Sequence, residues 1–279
     1  MKKITVINNA IQQAIALIAA KAGGKKLQEP DYSAAFAIEL PPILNANKVF
    51  PNIHFGGCFV HQSPMATFVG QNATRSRCEL GDLLVLCHEV IDGDDRYNAA
   101  LLQWKILKSG AETLSGLALR QLDLYEHWPL FSLTSRGTIS WFDILPKTVS
   151  PGAQYGLIFP SAGQSFFCRI PSKELQIIDS PSFARFLINL MKWQTGRPVV
   201  LDEDSGRTDE WSQLIEYLIR NSLMKFFTRS NISTVAKRAS KDLLKMLISD
   251  ANVDPFVLQS TEEEGISGDT CKLPWHNVT

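Results

Sequence analysis

Residues 78–105 read CELGDLLVLCHEVIDGDDRYNAALLQWK. Two apolar runs lie inside this stretch, residues 83–86 and 99–102. Each is continuous rather than alternating, which is the pattern of a strand covered on both faces. Between them Asp92-Gly93-Asp94-Asp95 supplies turn chemistry. The stretch therefore reads as a hairpin at the centre of a sheet with helices on each side, which makes the fold α/β. Polar groups sit at the ends of the hairpin: Glu79 and Asp82 open the first strand, and Gln103 and Lys105 close the second.

If Gly93 and Asp94 are the central residues of the turn, Asp82 falls directly across from Lys105, and Leu84 across from Gln103. Side chains alternate along a strand, so Gln103 and Lys105 share a face. Directly paired residues share a face too, so Asp82 joins them. A slip of one residue would send Asp82 to the other face. Charges at the ends of fully buried strands are costly unless they are used or paired.

This grouping suits metal-dependent phosphodiester hydrolysis. Asp82 is the first candidate ligand for Mg²⁺ or Mn²⁺, because hard cations prefer carboxylate oxygen. Gln103 offers a side-chain carbonyl oxygen, and Trp104 a backbone carbonyl. Glu79 joins the metal shell if a backbone turn brings it round, since its odd spacing from Asp82 points it away in an extended strand. Lys105 is the candidate to orient or deprotonate the attacking water, or to neutralise charge on the phosphate.

The order Asp82, about twenty residues, then Gln103-x-Lys105 at the end of an apolar strand resembles the PD-(D/E)xK nucleases, in the Gln-x-Lys variant of Mrr-like restriction enzymes. The text ELGDLLVL followed by ALLQWK is also similar to bacterial proteins of that superfamily linked to phage defence. The resemblance is specific over residues 78–105, looser over 106–230, and does not cover 1–50 or 231–279. It implies a restriction-endonuclease-like fold, a central mixed β-sheet flanked by helices on both faces. It implies a Mg²⁺- or Mn²⁺-dependent endonuclease acting on DNA, with RNA as the second choice, serving as an antiviral defence effector. It also implies an oligomer or a partner protein. Two features depart from the pattern. The usual Pro-Asp is Gly81-Asp82 here, and the glutamate expected on the first core helix is not obvious, with Glu79 preferred and Glu39 second. Gln103 in place of an acid removes a charge from the metal shell, so the alternative is an inactive nuclease fold that binds nucleic acid or protein.

Outward from the hairpin, the 279 residues are 45% hydrophobic and 20% charged with a formal net charge of zero. That composition is ordinary for a globular protein, and any basic surface must be local. The five cysteines include no close pair, which argues against a zinc cluster or a disulfide framework and for reduced thiols in the cytoplasm. MKK followed by AIALIAAKAGG has the order of a signal peptide, but Asn8, Asn9, Gln12 and Gln13 interrupt it, so an amphipathic first helix over 4–22 is expected. No apolar run approaches the roughly 18 residues of a membrane span. P-loop, GxSxG, HExxH and dinucleotide fingerprints are absent.

Four segments follow from composition and period. Residues 1–48 form an N-terminal helical segment, with a loop over 25–35 and a stop at Pro41-Pro42. Residues 49–230 form the α/β core, nuclease-like by the resemblance, in which Gly56-Gly57 marks a bulge or a close backbone approach. The core includes a helix over 109–128, strands near 141–145, 155–159, 165–170 and 175–178, and helices after Ser182 and Asp209. Residues 231–253 form a basic helix, and 254–279 a flexible tail. The resemblance makes Arg120 and Gln121, on the helix after the hairpin, candidate phosphate contacts, and His61 and Gln62, just before the hairpin, are candidates to edge the site. Lys237, Lys241 and Lys245 recur every fourth residue and form a candidate stripe for a nucleic-acid backbone.

Overall fold

The structure, a computed structural model, describes residues 2–61, 64–135, 138–160, 164–200 and 209–223, with 226–227, 236–237 and residue 243. The chain begins with α1 (Lys2–Lys21), α2 (Glu29–Ala34), a π-helical turn (Ala35–Glu39) and α3 (Leu40–Asn45). Five strands follow: β1 (Ile53–Phe59), β2 (Met65–Val69), β3 (Arg75–Glu79), β4 (Leu83–Ile91) and β5 (Asp94–Ile106). After these come β6 (Ala111–Thr113), α4 (Ala118–His127), β7 (Phe131–Ser135), β8 (Thr138–Phe142), β9 (Ala153–Phe159), β10 (Ser165–Arg169) and β11 (Glu174–Gln176). The described chain closes with α5 (Phe183–Met191), β12 (Arg197–Val199), α6 (Glu210–Leu223), β13 (Phe226–Phe227) and β14 (Ala236–Lys237).

The hairpin stands at the centre, as its apolar runs require. The main sheet has the order β1-β4-β5-β9-β10, with β12 also on β5. It is mixed: β1, β4 and β5 are antiparallel in turn, while β9 runs parallel to β5 after the α4 connection. Its two faces are both buried. Leu83, Val85, Ala100, Leu102 and Trp104 face one cluster, shared with α1, Phe36 and α5. Leu84, Leu86, Ala99 and Leu101 face the other, shared with α4, α6 and one side of a second sheet. That second sheet has the order β3-β2-β7-β8 and is antiparallel throughout. The expectation of helices on both faces is thus met, with a four-stranded sheet added on one of them.

The turn is one residue earlier than the sequence reading placed it. Asp92 (φ 53°) and Gly93 (φ 92°) are its central residues, both in the left-handed region that a tight two-residue hairpin turn requires. Ile91 pairs with Asp94, and Leu83 with Leu102. Continuing that register sets Asp82 opposite Gln103, not Lys105. The displacement is two positions on the partner strand. An even shift preserves the faces, so Asp82, Gln103 and Lys105 remain on one side.

Four other expectations change. The loop over 25–35 contains α2, whose first turn carries Glu29, Pro30 and Asp31. Pro41 and Pro42 do not stop the helix. They lack N–H donors, and the ladder widens just before them, with Leu40 N–H reaching back to Ala35 O. The helix over 109–128 is shorter, because Gly110 and Gly116 take positive φ and β6 forms between them. Residues 236–237, expected as helix, pair as β14 with β13. Lys241, Lys245 and the tail 254–279 lie outside the described residues. Among the described residues, no helix is long and apolar enough to cross a membrane. Cys58, Cys78, Cys87 and Cys168 are buried thiols, in no disulfide among the described residues.

Gly57 is the close approach that the glycine pair signalled. A Cβ there would lie 2.8 Å from the Ala37 carbonyl oxygen and 2.9 Å from its Cα, and both are backbone atoms of the π-helical turn. Neither partner can swing aside. Gly57→Ala is expected to destabilise the fold by about 1–3 kcal/mol, read as a lower thermal midpoint.

Candidate functional site

The site forms where β5 outruns its neighbour. β4 begins at Leu83, whereas β5 continues to Ile106 with β9 on its other side. Backbone donors beyond Leu102 must find other partners or remain unsatisfied. Carboxylates take that place. Trp104 N–H donates to Asp82 Oδ2 at 2.7 Å, and Ile106 N–H donates to Glu29 Oε1 at 2.9 Å. The Trp104 carbonyl lies on the same strand edge as its N–H.

Asp82 is only 1% exposed. The Gln103 amide Nε2 donates to its Oδ2, and His61 Nδ1 lies 2.7 Å from its Oδ1. Gln103 Oε1 accepts from Gln121 Nε2 at 2.5 Å, and Gln121 Nε2 also lies 3.0 Å from the Glu79 carbonyl. Tyr125 Oη donates to the Leu80 carbonyl at 2.6 Å. Helix α4 therefore pins the backbone where the chain leaves β3 and enters β4. That turn is what brings Glu79 round: its Oε2 lies 3.1 Å from His61 Nδ1.

The expected residues divide accordingly. Asp82 and Glu79 converge, and His61 joins both. Gln103 sits beside Asp82, but its oxygen is turned to Gln121, so it positions Asp82 and does not face the His61–Glu79 side. Gln121 is 5% exposed and occupied by Gln103 and Glu79, which withdraws it from the role of phosphate contact. Arg120 is exposed on α4. Lys105 shares the Gln103 face by alternation, is partly exposed, and is close enough to Glu29 to act on its charge. Glu39 instead pairs with Lys21 at 2.5 Å, away from the site. Lys237 belongs to β14, and Gln62 lies outside the described residues.

Glu29 is the acid that sequence reasoning missed. Gln28-Glu29-Pro30 is a helix start, with proline in the first turn, and that signal was legible. Burial raises the Glu29 carboxyl above its ordinary range. The Lys105 charge and the Ile106 N–H oppose that rise, while Asp82 adds to it.

His61, Glu79 and Asp82 offer one nitrogen and two carboxylate oxygens, all within 4.8 Å of one another. Such a donor set fits a divalent cation. The imidazole favours Mn²⁺ or another transition ion over Mg²⁺, which prefers oxygen alone.

Burial disfavours the charged His61 ring, but the hydrogen bonds and charges of Asp82 and Glu79 outweigh it and push the imidazole up to about 9. Burial also raises Asp82, against the pull of His61 and the Trp104 N–H. Gln103, Trp104 and His61 all present N–H donors to Asp82, which fits an ionised carboxylate held by an imidazolium. A histidine raised on folding stabilises fully below its unfolded value, near 6.5, and loses that contribution as pH climbs through about 9. In chelator, resistance to urea is expected to fall between pH 6.5 and 9 by on the order of 3 kcal/mol. In His61→Gln this part of the decline should disappear.

Comparison with protein-family models, curated proteins and solved structures gave no match.

Proposed function

We propose that this protein is a divalent-metal-dependent nuclease of restriction-endonuclease-like fold that hydrolyses phosphodiester bonds in DNA. The observation that carries the reading is the convergence of Asp82, Glu79 and His61 at the end of the hairpin, with Lys105 on the same face of β5. Topology supports it. Helices precede the antiparallel sheet neighbours β1, β4 and β5, and the chain passes through β6, α4, β7 and β8 before the parallel β9. A mixed sheet with helices on both faces is compatible with the fold that the Asp82 and Gln103-x-Lys105 resemblance implies, and Glu29 stands on a helix ahead of those strands.

Asp82, Glu79 and His61 would hold a divalent ion, which when bound would supply Lewis-acid charge to a phosphoryl oxygen. Gln103 and the Trp104 N–H hold Asp82 in place. Lys105 meets the opposite need: it offers a cation or a proton acceptor beside the reacting phosphate. Glu29 tempers the Lys105 charge from the helix side.

The test is incubation with supercoiled plasmid in Mg²⁺, Mn²⁺ or chelator, beside Asp82→Ala and Lys105→Ala. Metal-dependent cleavage that both variants lose supports the reading. Binding of DNA without cleavage in every metal overturns it in favour of a nuclease fold that only binds.

A further inference from the structure

The outer face of the second sheet has no role in that chemistry, yet its composition is unusual. One face of β3-β2-β7-β8 packs into the core through Ser76, Cys78, Ala66, Phe68, Phe131, Leu133 and Phe142. The other face follows from the register. Arg77 pairs with Thr67, Thr67 with Ser132, and Ser132 with Trp141, so the four form one row across the sheet. At three strand spacings, Arg77 and Trp141 stand about 14 Å apart along that row. Arg75 lies beside Val69 on one side of the row, and Glu79 beside Met65 on the other.

Three properties of this face point to one occupant. Trp141 is 63% exposed, and Ile139, Val69 and Leu130 are more than half exposed. Arg75 and Arg77 are exposed and form no ion pair among the described residues. The face is also continuous with the candidate site, since Glu79 is two residues beyond Arg77 on the same side of β3, about 7 Å along the strand.

We infer that the outer face of the β3-β2-β7-β8 sheet is a docking platform for single-stranded DNA, with a base stacked on Trp141 and phosphates on Arg75 and Arg77. A sheet face whose exposed indole stands at the end of the row, beyond the buried Ser132, reads the face of a base, which a duplex hides. The two guanidinium groups complement the backbone charge. Ile139, Val69 and Leu130 favour deoxyribose and thymine methyl groups, because ribose hydroxyls would meet apolar side chains there. The inference rests on the nuclease reading only for what happens after docking: a strand leaving the row at Arg77 lies about 7 Å from Glu79, at the edge of the site.

The experiment is fluorescence anisotropy in chelator, with the full chain and labelled strands of roughly 15 nucleotides, within the range of single-strand sites. Single-stranded DNA is expected to bind more tightly than the duplex or single-stranded RNA of the same sequence. Trp141→Ala should weaken it about 10-fold or more and Trp141→Phe much less, since stacking contributes about 1–3 kcal/mol per base. The Arg75→Ala/Arg77→Ala double variant should weaken binding and reduce the log–log salt slope by about 1.4, from two lost phosphate contacts. These side chains are exposed, so circular dichroism should show intact folds. Equal or tighter binding of duplex or RNA overturns the inference, as does single-strand affinity unmoved by Trp141→Ala and the double variant. Plasmid cleavage that persists without platform binding removes the platform and leaves the nuclease reading standing. Platform binding with no cleavage in any metal does the reverse.

Discussion

Lys105→Ala is expected to lower metal-dependent plasmid cleavage by roughly 10²–10⁴-fold, the range for a lost proton-transfer or charge-stabilising group. Its effect on stability should stay within about 0.5 kcal/mol, as for a partly exposed side chain away from the core. Among the described residues the Lys105 side chain forms no ion pair, so its removal strands no charged partner. What it does leave is Glu29 without the charge that opposes its rise. Lys105→Arg divides the two chemical roles. The guanidinium keeps the positive charge but does not give up its proton in a protein. Recovery of cleavage in Lys105→Arg would assign the residue to charge stabilisation, and continued loss would assign it to proton transfer. Full activity in Lys105→Ala would remove the residue from the mechanism altogether.

The hairpin was legible because its information is local. Continuous apolar runs fix the central strands, and parity along a strand fixes which side chains share a face. The pairing offset depended on which two residues of Asp92-Gly93-Asp94-Asp95 enter the left-handed region. Asp92 tolerates that conformation nearly as an asparagine would, so composition alone did not choose between Asp92-Gly93 and Gly93-Asp94. The error was an even number, which is why Asp82, Gln103 and Lys105 keep a common face. Glu29 was harder to see because its role is tertiary: it accepts from one backbone donor, Ile106 N–H, 77 residues away. The same holds for His61, a lone histidine whose meaning comes from two carboxylates in other strands and turns. Gln121 was misassigned because a polar residue on an amphipathic helix looks solvated until the buried partner it serves is known. The second sheet was largely hidden. β2 and β3 alternate as half-buried strands should, but nothing local says that β2 pairs with β7 across more than sixty intervening residues.

Asp82 carries the largest structural consequence, and two substitutions separate its structural role from its chemical one. In Asp82→Ala the Trp104 N–H and the Gln103 amide lose their acceptor in a spot that is 1% exposed, and His61 retains only Glu79. Each stranded donor costs about 1–3 kcal/mol. The relief of no longer burying a carboxylate, seen in the upward displacement of Asp82, offsets part of this. A net loss of about 2–4 kcal/mol is expected, read as a lower urea midpoint, together with complete loss of cleavage. Asp82→Asn should behave differently. Its carbonyl oxygen can still accept from Trp104 N–H, and its amide can donate to a neutral His61 Nδ1. Stability should then fall by no more than about 1 kcal/mol. With the buried negative charge gone, the His61 imidazole should return toward its ordinary value, so the loss of urea resistance between pH 6.5 and 9 should shrink. Cleavage should still be abolished, because a neutral amide is a poor ligand for a divalent ion where a carboxylate stood. An Asp82→Asn protein that folds as well as the wild type and retains cleavage would show that this carboxylate holds the end of β5 together and does nothing more.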